Sequence, residues 1–284
     1  MQLIVISGLS GSGKSVALNV LEDSSYYVVD NLPATLLQET VAFLRGAGND
    51  LVAVTVDARS GASLTDVPLA ITKLRTTGVD VKLLFLDSND NTLIRRFSET
   101  RRRHPLSDGN QTLSECIRRE RELVAPLADL GHKIDTSDLA PNALRQWVKD
   151  ILAMRGVGMT LILESFGFKQ GIPLSADMVF DVRCIPNPYY DPALRPLSGL
   201  DQPVVDFLTR DGTAQKMCAD IGDYLDRWLD CFIRDNRAYL TVAIGCTGGQ
   251  HRSVYFVERL AARFKSRGPL LTRHRQLRLL AALH

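Results

Sequence analysis

The residues Gly8-Leu9-Ser10-Gly11-Ser12-Gly13-Lys14-Ser15 match the pattern G-x-x-x-x-G-K-[ST] at every fixed position. Before them, residues 3–6 form a short apolar run rich in β-branched side chains, as in a buried parallel strand. After them, apolar residues recur at helical spacing from Val16 onward. A strand, a glycine-rich loop and a helix in this order bring successive backbone N–H groups around a phosphate. The stretch therefore predicts a nucleotide-phosphate loop, or P-loop.

Each position of the P-loop has an expected role toward ATP or GTP. The candidate phosphate-binding residues are Gly8, Leu9, Ser10, Gly11, Ser12, Gly13, Lys14 and Ser15. Lys14 is expected to reach the β- and γ-phosphates and is the candidate catalytic residue. The Ser15 hydroxyl is expected to ligate Mg²⁺.

Three predicted strands end in an aspartate, namely Asp30, Asp57 and Asp87. Ligands of parallel sheets bind at the carboxyl ends of the strands, so these side chains are expected to face the nucleotide. One of them is expected to hold the water shell of the magnesium ion. Asp57 is the preferred candidate, and Asp87 is a competitor that the sequence leaves open.

Strand-like and helix-like segments alternate along the first half of the chain. The predicted strands cover residues 26–30, 52–57, 81–87 and 134–137, and the predicted helices cover residues 34–45 and 140–153. Such alternation is typical of a parallel sheet with helices packed on it. We predict an α/β fold in two domains, a P-loop NTPase- or kinase-like domain over residues 1–155 and a second α/β domain over residues 156–284.

The composition excludes several classes of protein. With 284 residues, 45% of them hydrophobic and 23% charged, the chain has the composition of a globular protein with two domains. No apolar run reaches the roughly 20 residues of a membrane helix, and no basic n-region precedes the first strand. The five cysteines are scattered without C-x-x-C spacing, which favours reduced thiols over disulfides or zinc. We therefore expect a cytoplasmic protein without a membrane partner.

Five arginines lie between positions 95 and 103. In P-loop kinases that act on small molecules, an arginine-bearing lid closes over the phosphates at this place, and arginine forks suit phosphate geometry. The competing interpretation is a solvated helix face on which Glu99, Glu115 and Glu120 neutralise several of the arginines. A small-molecule kinase is therefore an alternative function.

A second loop with phosphate-binding character follows a predicted strand over residues 239–244. In residues 246–253, here called the Cys246 loop, Cys246 and Arg252 have the Cys-x5-Arg-Ser spacing of phosphotyrosine phosphatases. Glycines, a helix N-terminus and an arginine fork favour binding of a phosphorylated metabolite. Catalysis has less support, because Gly245 stands where those phosphatases carry histidine. The candidate sugar-phosphate contacts are Cys246, Thr247, Gly248, Gly249, His251, Arg252 and Ser253, with Tyr190 and Arg195 from a proline-rich loop.

That proline-rich loop over residues 185–203 cannot be regular helix or central strand. A long helix is predicted after it. Its apolar stripe is predicted to pack in the core, and the stripe comprises Tyr224, Leu225, Trp228, Leu229, Phe232 and Ile233.

The C-terminal end is basic although the rest of the chain is acidic. From Arg259 onward there are seven basic residues and no acidic one, whereas the remainder holds 27 Lys and Arg against 32 Asp and Glu. Such an end favours a polyanion such as RNA, read by its backbone because no aromatic residue follows Phe264. The candidate RNA contacts are Lys265, Arg267, Arg273, His274, Arg275 and Arg278. The alternatives are a solvated helix, or leucines beyond Arg275 that pack on the protein or on a second copy in a homo-oligomer.

Taken together, these motifs resemble the bacterial RapZ/YvcJ family of P-loop nucleotide-binding proteins. The resemblance runs over essentially all 284 residues. It rests on the P-loop and on residues 30–33, 164–169, 180–188 and 243–255, in this order and spacing. It implies binding and slow hydrolysis of ATP and GTP, with a second nucleotide segment at Asp57-Ala58-Arg59-Ser60. It also implies a C-terminal domain that senses glucosamine-6-phosphate.

In the RNase-adapter branch of that family, the basic end binds a small RNA and presents it to an endoribonuclease. The present sequence keeps Arg273-His274-Arg275, but a leucine-rich end over residues 277–284 stands where adapter members carry a lysine and arginine cluster. Ser60 also stands where the family has asparagine. A protein-binding regulator without RNA is therefore the alternative to an adapter.

Overall fold

Two separate parallel sheets organise the computed structural model, one in each of two units, Met1–Leu152 and Ala153–His284. The structure describes residues 1–137, 139–153, 159–210, 212–235, 237 and 239–277, with residues 61–63 described by their backbone alone. The predicted domain boundary between residues 155 and 156 and the candidate RNA contact Arg278 lie outside the described residues.

The first unit contains a five-stranded sheet in the order β2-β3-β1-β4-β5, with all neighbouring strands parallel. Its strands are β1 (Gln2–Gly8), β2 (Tyr27–Val29), β3 (Leu51–Thr55), β4 (Asp80–Asp87) and β5 (His132–Asp135). Its helices are α1 (Lys14–Asp23), α2 (Leu37–Gly46), α3 (Val67–Thr76), α4 (Asp90–Thr100), α5 (Leu113–Ala128) and α6 (Pro141–Ala153). The alternation in the sequence thus correctly predicted a parallel α/β sheet.

Strand β1 lies at the centre of this sheet, between β3 and β4. Its residues Leu3, Ile4, Val5 and Ile6 are fully buried, as expected for a strand covered on both faces. Ile6 is in register with Thr55 of β3 and with Leu84 of β4. The loop after β1 therefore begins between the ends of β3 and β4, where Asp57 and Asp87 lie.

The second unit contains a four-stranded parallel sheet in the order β7-β8-β6-β9. Its strands are β6 (Thr160–Gly167), β7 (Met178–Asp181), β8 (Tyr239–Cys246) and β9 (Leu270–His274), and its helices are α7 (Gln202–Arg210), α8 (Gly212–Arg234) and α9 (Arg252–Phe264). Short 3-10 helices cover Ala34–Leu36, Ala58–Asp66, Phe168–Gln170 and Pro188–Tyr190 in the two units. In the part of the chain that the structure describes, no helix is long and apolar enough to cross a membrane.

Two features of the second unit differ from the sequence prediction. Strand β9 was not predicted, and it contains two of the residues assigned to the basic end, Arg273 and His274. The stripe on α8 is only partly core, because Tyr224, Trp228 and Ile233 are 43%, 45% and 44% exposed. Periodicity predicts which residues share one side of a helix, but it does not show how much of that side the rest of the fold covers.

Candidate functional site

The P-loop leaves β1 at Gly8 and enters α1 at Lys14, as the sequence predicted. Gly13 occupies the N-cap position of α1 with φ +103°, a conformation that side chains with a Cβ rarely adopt. A Cβ at this position would also lie 2.7 Å from Cδ2 of Leu144. No side chain caps the helix, and the Val16 N–H bonds to the Gly13 oxygen at 3.0 Å, which leaves the N–H groups of Lys14 and Ser15 available to an anion.

Lys14 lies within the P-loop rather than in solvent. Its Nζ donates a hydrogen bond of 2.7 Å to the backbone oxygen of Gly8. Burial lowers the pKa of Lys14, and the neighbouring carboxylates of Glu120 and Asp57 oppose that shift. The ammonium is therefore already held at the place where phosphates would bind.

Asp57 is buried, and Arg59 donates hydrogen bonds to both of its carboxylate oxygens. Arg59 donates from its backbone N–H to Oδ1 at 3.0 Å and from Nη2 to Oδ2 at 2.7 Å, and its Nε contacts both oxygens. Burial acts to raise the pKa of Asp57, but the Arg59 hydrogen bonds and the Lys14 charge outweigh it and lower the pKa. The carboxylate is ionised, and its charge lies close to the P-loop lysine.

The two other strand-ending aspartates have different surroundings. Asp87 forms ion pairs with Arg121 at 2.7 Å and with Lys133 at 3.2 Å, and it accepts the Ser88 N–H at 2.8 Å. Asp30 accepts a hydrogen bond from the Thr55 hydroxyl. Of the two magnesium candidates, Asp57 is thus the one whose charge acts on Lys14.

One of the five arginines predicted to form a lid contacts the P-loop. Arg96 donates from Nη1 to the Gly11 oxygen at 3.0 Å and from Nη2 to the Thr136 oxygen at 2.7 Å. The other four are exposed; they are Arg95, Arg101, Arg102 and Arg103. The segment thus contacts the P-loop through the Arg96 guanidinium.

The structure contradicts the competing interpretation for Glu120. Instead of neutralising arginines on a solvated face, Glu120 is fully buried and accepts hydrogen bonds from the backbone and hydroxyl of Ser10, at 2.9 and 2.7 Å. His104 lies 3.0 Å from the same carboxylate. A signal was present in the sequence, because Glu120 falls on the buried stripe of α5, which also contains Cys116, Ile117, Val124 and Leu127.

In the second unit, the loops after β6 and β8 meet at a topological switch point. The chain leaves β6 toward β7 on one side and leaves β8 toward β9 on the other, while β6 and β8 are neighbours. The two loops touch where the Lys169 N–H donates to the Thr247 oxygen at 3.3 Å. Ligands of open α/β sheets bind in the crevice at such a point.

The Cys246 loop is built around two buried side chains. The Cys246 sulfur accepts the Gly249 N–H at 3.2 Å and lies 3.2 Å from the Ser253 hydroxyl. The Arg252 guanidinium donates from Nη1 to the oxygens of Arg183 and Ile185, at 2.8 and 2.9 Å, and from Nη2 to the Thr247 hydroxyl at 3.2 Å.

Arg252 retains capacity for a further hydrogen bond. Its Nε is buried and has no hydrogen-bond partner within the described residues. Arg252 therefore holds the Cys246 loop against the backbone oxygens of Arg183 and Ile185. Its Nε–H is a buried donor that a ligand of this loop could use.

The two predicted sugar-phosphate contacts from the proline-rich loop, Tyr190 and Arg195, make no side-chain hydrogen bond to the Cys246 loop in the described part of the chain. The Arg195 guanidinium stacks 4.8 Å from the Tyr189 ring centre, and Tyr190 is 80% exposed.

His251 at the N-cap of α9 makes no capping bond, and its Nε2 contacts the Leu194 oxygen at 3.1 Å. Burial lowers the pKa of His251, which keeps the ring neutral and suited to donate to that oxygen.

The position before Cys246 cannot carry the histidine of the phosphatases. A Cβ at Gly245 would lie 2.5 Å from atoms of both the Phe166 and the Phe168 rings. Real Cβ contacts are essentially never that short, so any larger residue would displace these aromatic rings. The Cys246 loop therefore keeps the Cys-x5-Arg spacing of the phosphatases but has no room for their histidine.

The basic end is neutralised by acids from earlier elements. Arg263 pairs with Asp223 and Asp226, and Arg267 pairs with Asp226, each at 2.6 Å. No acidic residue follows Arg259 in the sequence, and the acids that pair with Arg263 and Arg267 lie on α8.

The Arg273-His274-Arg275 segment is likewise engaged in the fold. Arg273 is buried, His274 contacts Ser165 at 2.9 Å and Glu258 at 3.0 Å, and Arg275 lies 3.5 Å from Glu164. Of the candidate RNA contacts that the structure describes, Lys265 is exposed at the surface and Arg267 is exposed but paired.

Comparison with known proteins gives matches over almost the whole chain. Residues 1–156 match the RapZ-like N-terminal domain, and residues 159–278 match the RapZ C-terminal domain. A nucleotide-binding protein of Azoarcus sp. (strain BH72) is 58% identical over 276 residues, covering 97% of this chain and 94% of the relative. A nucleotide-binding protein of Dechloromonas aromatica (strain RCB) is 57% identical and covers 98% and 99%.

Solved structures similar to this chain match about half of it. A shikimate kinase from Acinetobacter baumannii in complex with shikimate covers 53% of this chain, with 17% identity and a TM-score of 0.38, and 92% of that protein is covered. A sugar kinase from Janibacter sp. HTCC2649 covers 54% of this chain, with 16% identity and a TM-score of 0.37, and 94% of that protein is covered. On the strength of the two domain matches and the full-length relatives, the chain belongs to the RapZ family of nucleotide-binding proteins.

Proposed function

We propose that this protein is a cytoplasmic regulator that binds ATP or GTP with Mg²⁺ at the P-loop and hydrolyses them slowly. The observation that carries the proposal is the uncapped first turn of α1 with the Lys14 ammonium held beside it. Partial positive charge from the helix and full charge from Lys14 suit a triphosphate. The five free cysteines support a reducing compartment.

The residues around the P-loop fit a nucleotide-bound magnesium ion. Ser15 is exposed in the first turn of α1, where its hydroxyl would ligate the metal. Asp57 would act through metal-bound water, because Arg59 already contacts both of its oxygens. The segment Asp57-Ala58-Arg59-Ser60 would contact GTP, and the exposed Arg59 is its positively charged member.

The test is titration calorimetry with ATP and GTP in the presence and absence of Mg²⁺. Lys14→Ala removes the only P-loop cation, so affinity should fall by about tenfold or more. Lys73→Ala on α3 is the matched control and should bind as the wild type does. Unchanged affinity in Lys14→Ala would refute the site.

A small-molecule kinase is the competing enzyme, and the Arg96 contact to the P-loop favours it. Incubation with ATP and a panel of sugar and hydroxy-acid acceptors separates the two. Stoichiometric transfer to one acceptor identifies a kinase, whereas slow release of phosphate to water alone identifies a regulatory NTPase.

For the second unit, we propose that the Cys246 loop binds a phosphorylated sugar, with glucosamine-6-phosphate as the ligand that family membership suggests. The supporting observation is the buried Nε of Arg252, which has no hydrogen-bond partner in the part of the chain that the structure describes and lies beside a glycine-rich loop at the N-terminus of α9. Thermal-shift titration with glucosamine-6-phosphate, with inorganic phosphate as comparison, tests it. Thr247→Ala is the first variant, because Thr247 is exposed whereas Arg252 also supports the fold.

Binding of a small RNA and its presentation to an endoribonuclease have weaker support. Most of the candidate residues are buried or ion-paired, and Lys265 and Arg267 are the exposed ones within the described residues. A regulator that contacts only proteins is the alternative. RNA binding measured at two salt concentrations distinguishes them, because phosphate contacts make affinity depend steeply on salt.

A further inference from the structure

The carboxylate of Glu120 is fully buried and bonds to the P-loop. It belongs to α5, which is not part of the P-loop motif, and it is 110 positions away from Ser10 in the sequence. One oxygen accepts the Ser10 backbone N–H and the other accepts the Ser10 hydroxyl. Removing a carboxylate from water costs free energy unless its oxygens are bonded, and here both are bonded.

His104 completes this arrangement and does so in its neutral form. Its Nδ1 accepts the Leu106 backbone N–H at 3.2 Å, so this nitrogen carries no proton. The proton is therefore on Nε2, which donates to the Glu120 carboxylate at 3.0 Å. Because the imidazole is neutral, the pair keeps the full negative charge of Glu120.

The negative charge of Glu120 interacts with the positive charge of Lys14. Burial acts to raise the pKa of Glu120, but the His104 hydrogen bond, the Lys14 charge and the Ser10 bonds together lower it below its ordinary value of 4.5. A glutamine at position 120 would carry no charge to balance Lys14. If the NH2 group of its amide took the place of Oε2, it would also meet the Ser10 N–H and the His104 Nε2–H, which are hydrogen-bond donors themselves.

The bonds to Glu120 also select which P-loop donors remain for phosphate. The backbone N–H and the hydroxyl of Ser10 both donate to Glu120. The Ser12 N–H donates to the Leu9 oxygen at 3.1 Å. Arg96 holds the Gly11 oxygen from the other side. The tip of the loop is thus held in shape before any nucleotide is present, so that binding does not have to order it.

We propose that Glu120 is a positioning residue of the nucleotide site: through Ser10 it preforms the P-loop and leaves the donors of the first turn of α1 to face the phosphates. The proposal rests on the proposed nucleotide binding at Lys14. It adds α5 to the elements that build the site.

The experiment compares ATP affinity by calorimetry in the wild type, three variants of the Glu120–Ser10 contact and one control variant, at a temperature where circular dichroism shows each of them folded. Glu120→Gln should weaken ATP binding by about tenfold or more, because a hydrogen bond to a charged group is lost from the loop. Ser10→Ala, which keeps the backbone bond, should weaken it less. The double variant should lose less than the sum of the two, because both changes break the same contact.

Glu115→Ala is the matched control on the same helix. It removes the capping box that Glu115 forms with Thr112, so it lowers stability without touching the P-loop. Its melting temperature should fall while its ATP affinity stays at the wild-type value. A purely structural role of Glu120 would give the same pattern in Glu120→Gln, and that result would overturn the proposal.

Two further outcomes are informative. If Glu120→Gln does not fold, Ser10→Ala replaces it: reduced ATP affinity supports the proposal and unchanged affinity overturns it. If the wild-type protein itself fails to bind ATP, the proposed nucleotide function fails, and that failure is distinct because it does not depend on the Glu120 variants.

Discussion

Lys14 donates a hydrogen bond of 2.7 Å to the backbone oxygen of Gly8, the last residue of β1. The two residues are the first and the seventh positions of the P-loop, so this bond closes the loop on itself. Asp57 and Glu120 contribute negative charge near the same ammonium. The P-loop lysine therefore belongs to a cluster of opposite charges, and we expect this cluster to be sensitive to pH and to substitutions that remove a charge.

Stability should depend on pH through Glu120. Its pKa is lowered in the folded protein, so it contributes stability that is present above the unfolded value of 4.5 and is lost as pH falls through the folded value. We expect the unfolding free energy of the wild type to fall more steeply from pH 5 to pH 3 than that of Glu120→Gln.

Chemical denaturation at several pH values measures this difference. Subtracting the two curves removes the contributions of Asp57 and of the other carboxylates, because both proteins carry them. Parallel curves for the two proteins would contradict the assignment of an ionised, hydrogen-bonded Glu120.

Gly245→Ala should destabilise the second unit. The added Cβ would contact the Phe166 and Phe168 rings at 2.5 Å, and overpacking of this kind costs about 1–3 kcal/mol. The control is Gly248→Ala, whose Cβ would meet no atom within 4 Å. Gly248→Ala should keep the wild-type melting temperature and weaken sugar-phosphate binding, because an anion approaches the backbone there.

Removal of β9 should abolish the fold of the second unit. A chain ending at residue 268 loses the strand that pairs with β6, together with the buried Arg273. A chain ending at residue 277 keeps every described strand and should melt as the wild type does. Loss of RNA binding in the shorter chain would therefore say little about RNA, whereas the same loss in the longer chain would assign RNA contacts to residues 278–284.

Arg267→Ala tests whether the exposed basic residues near the end of α9 bind RNA. Loss of one unpaired phosphate contact changes the log–log slope of RNA affinity against salt by about 0.7. Because Arg267 already pairs with Asp226, Arg267→Ala should change that slope by less. Lys265→Ala provides the comparison. If both variants lower the log–log slope by the full value of about 0.7, the ion pair between Arg267 and Asp226 opens when RNA binds.

The exposed aromatic residues of α8 test the oligomer prediction. Trp228 is 45% exposed on a helix whose stripe we expected to be buried. If this surface is covered by a second copy, Trp228→Glu should lower the mass measured by light scattering. The same mass in the variant and in the wild type would mean that α8 takes no part in assembly.

Features that depend on neighbouring residues were predictable from the order of amino acids alone. The P-loop is one contiguous stretch, and its strand, turn and helix follow from β-branched residues, glycines and a helical repeat within about twenty positions. The parallel sheet of the first unit followed from the alternation of such segments. The Cys246 loop was found in the same way, because its glycines and Arg252 lie within eight residues of the chain.

Features that depend on distant residues were settled only by the tertiary structure. Glu120 meets Ser10 across 110 positions, β9 pairs with β6, and Arg263 meets Asp223 across 40 positions. A local pattern cannot tell a solvated carboxylate from a buried one, since burial is decided by which other elements pack over it. The charge of the C-terminal end shows the same limit. Its basic residues lie close together in the chain, but the acids that pair with Arg263 and Arg267 come from α8, and the acid that pairs with Arg275 comes from β6.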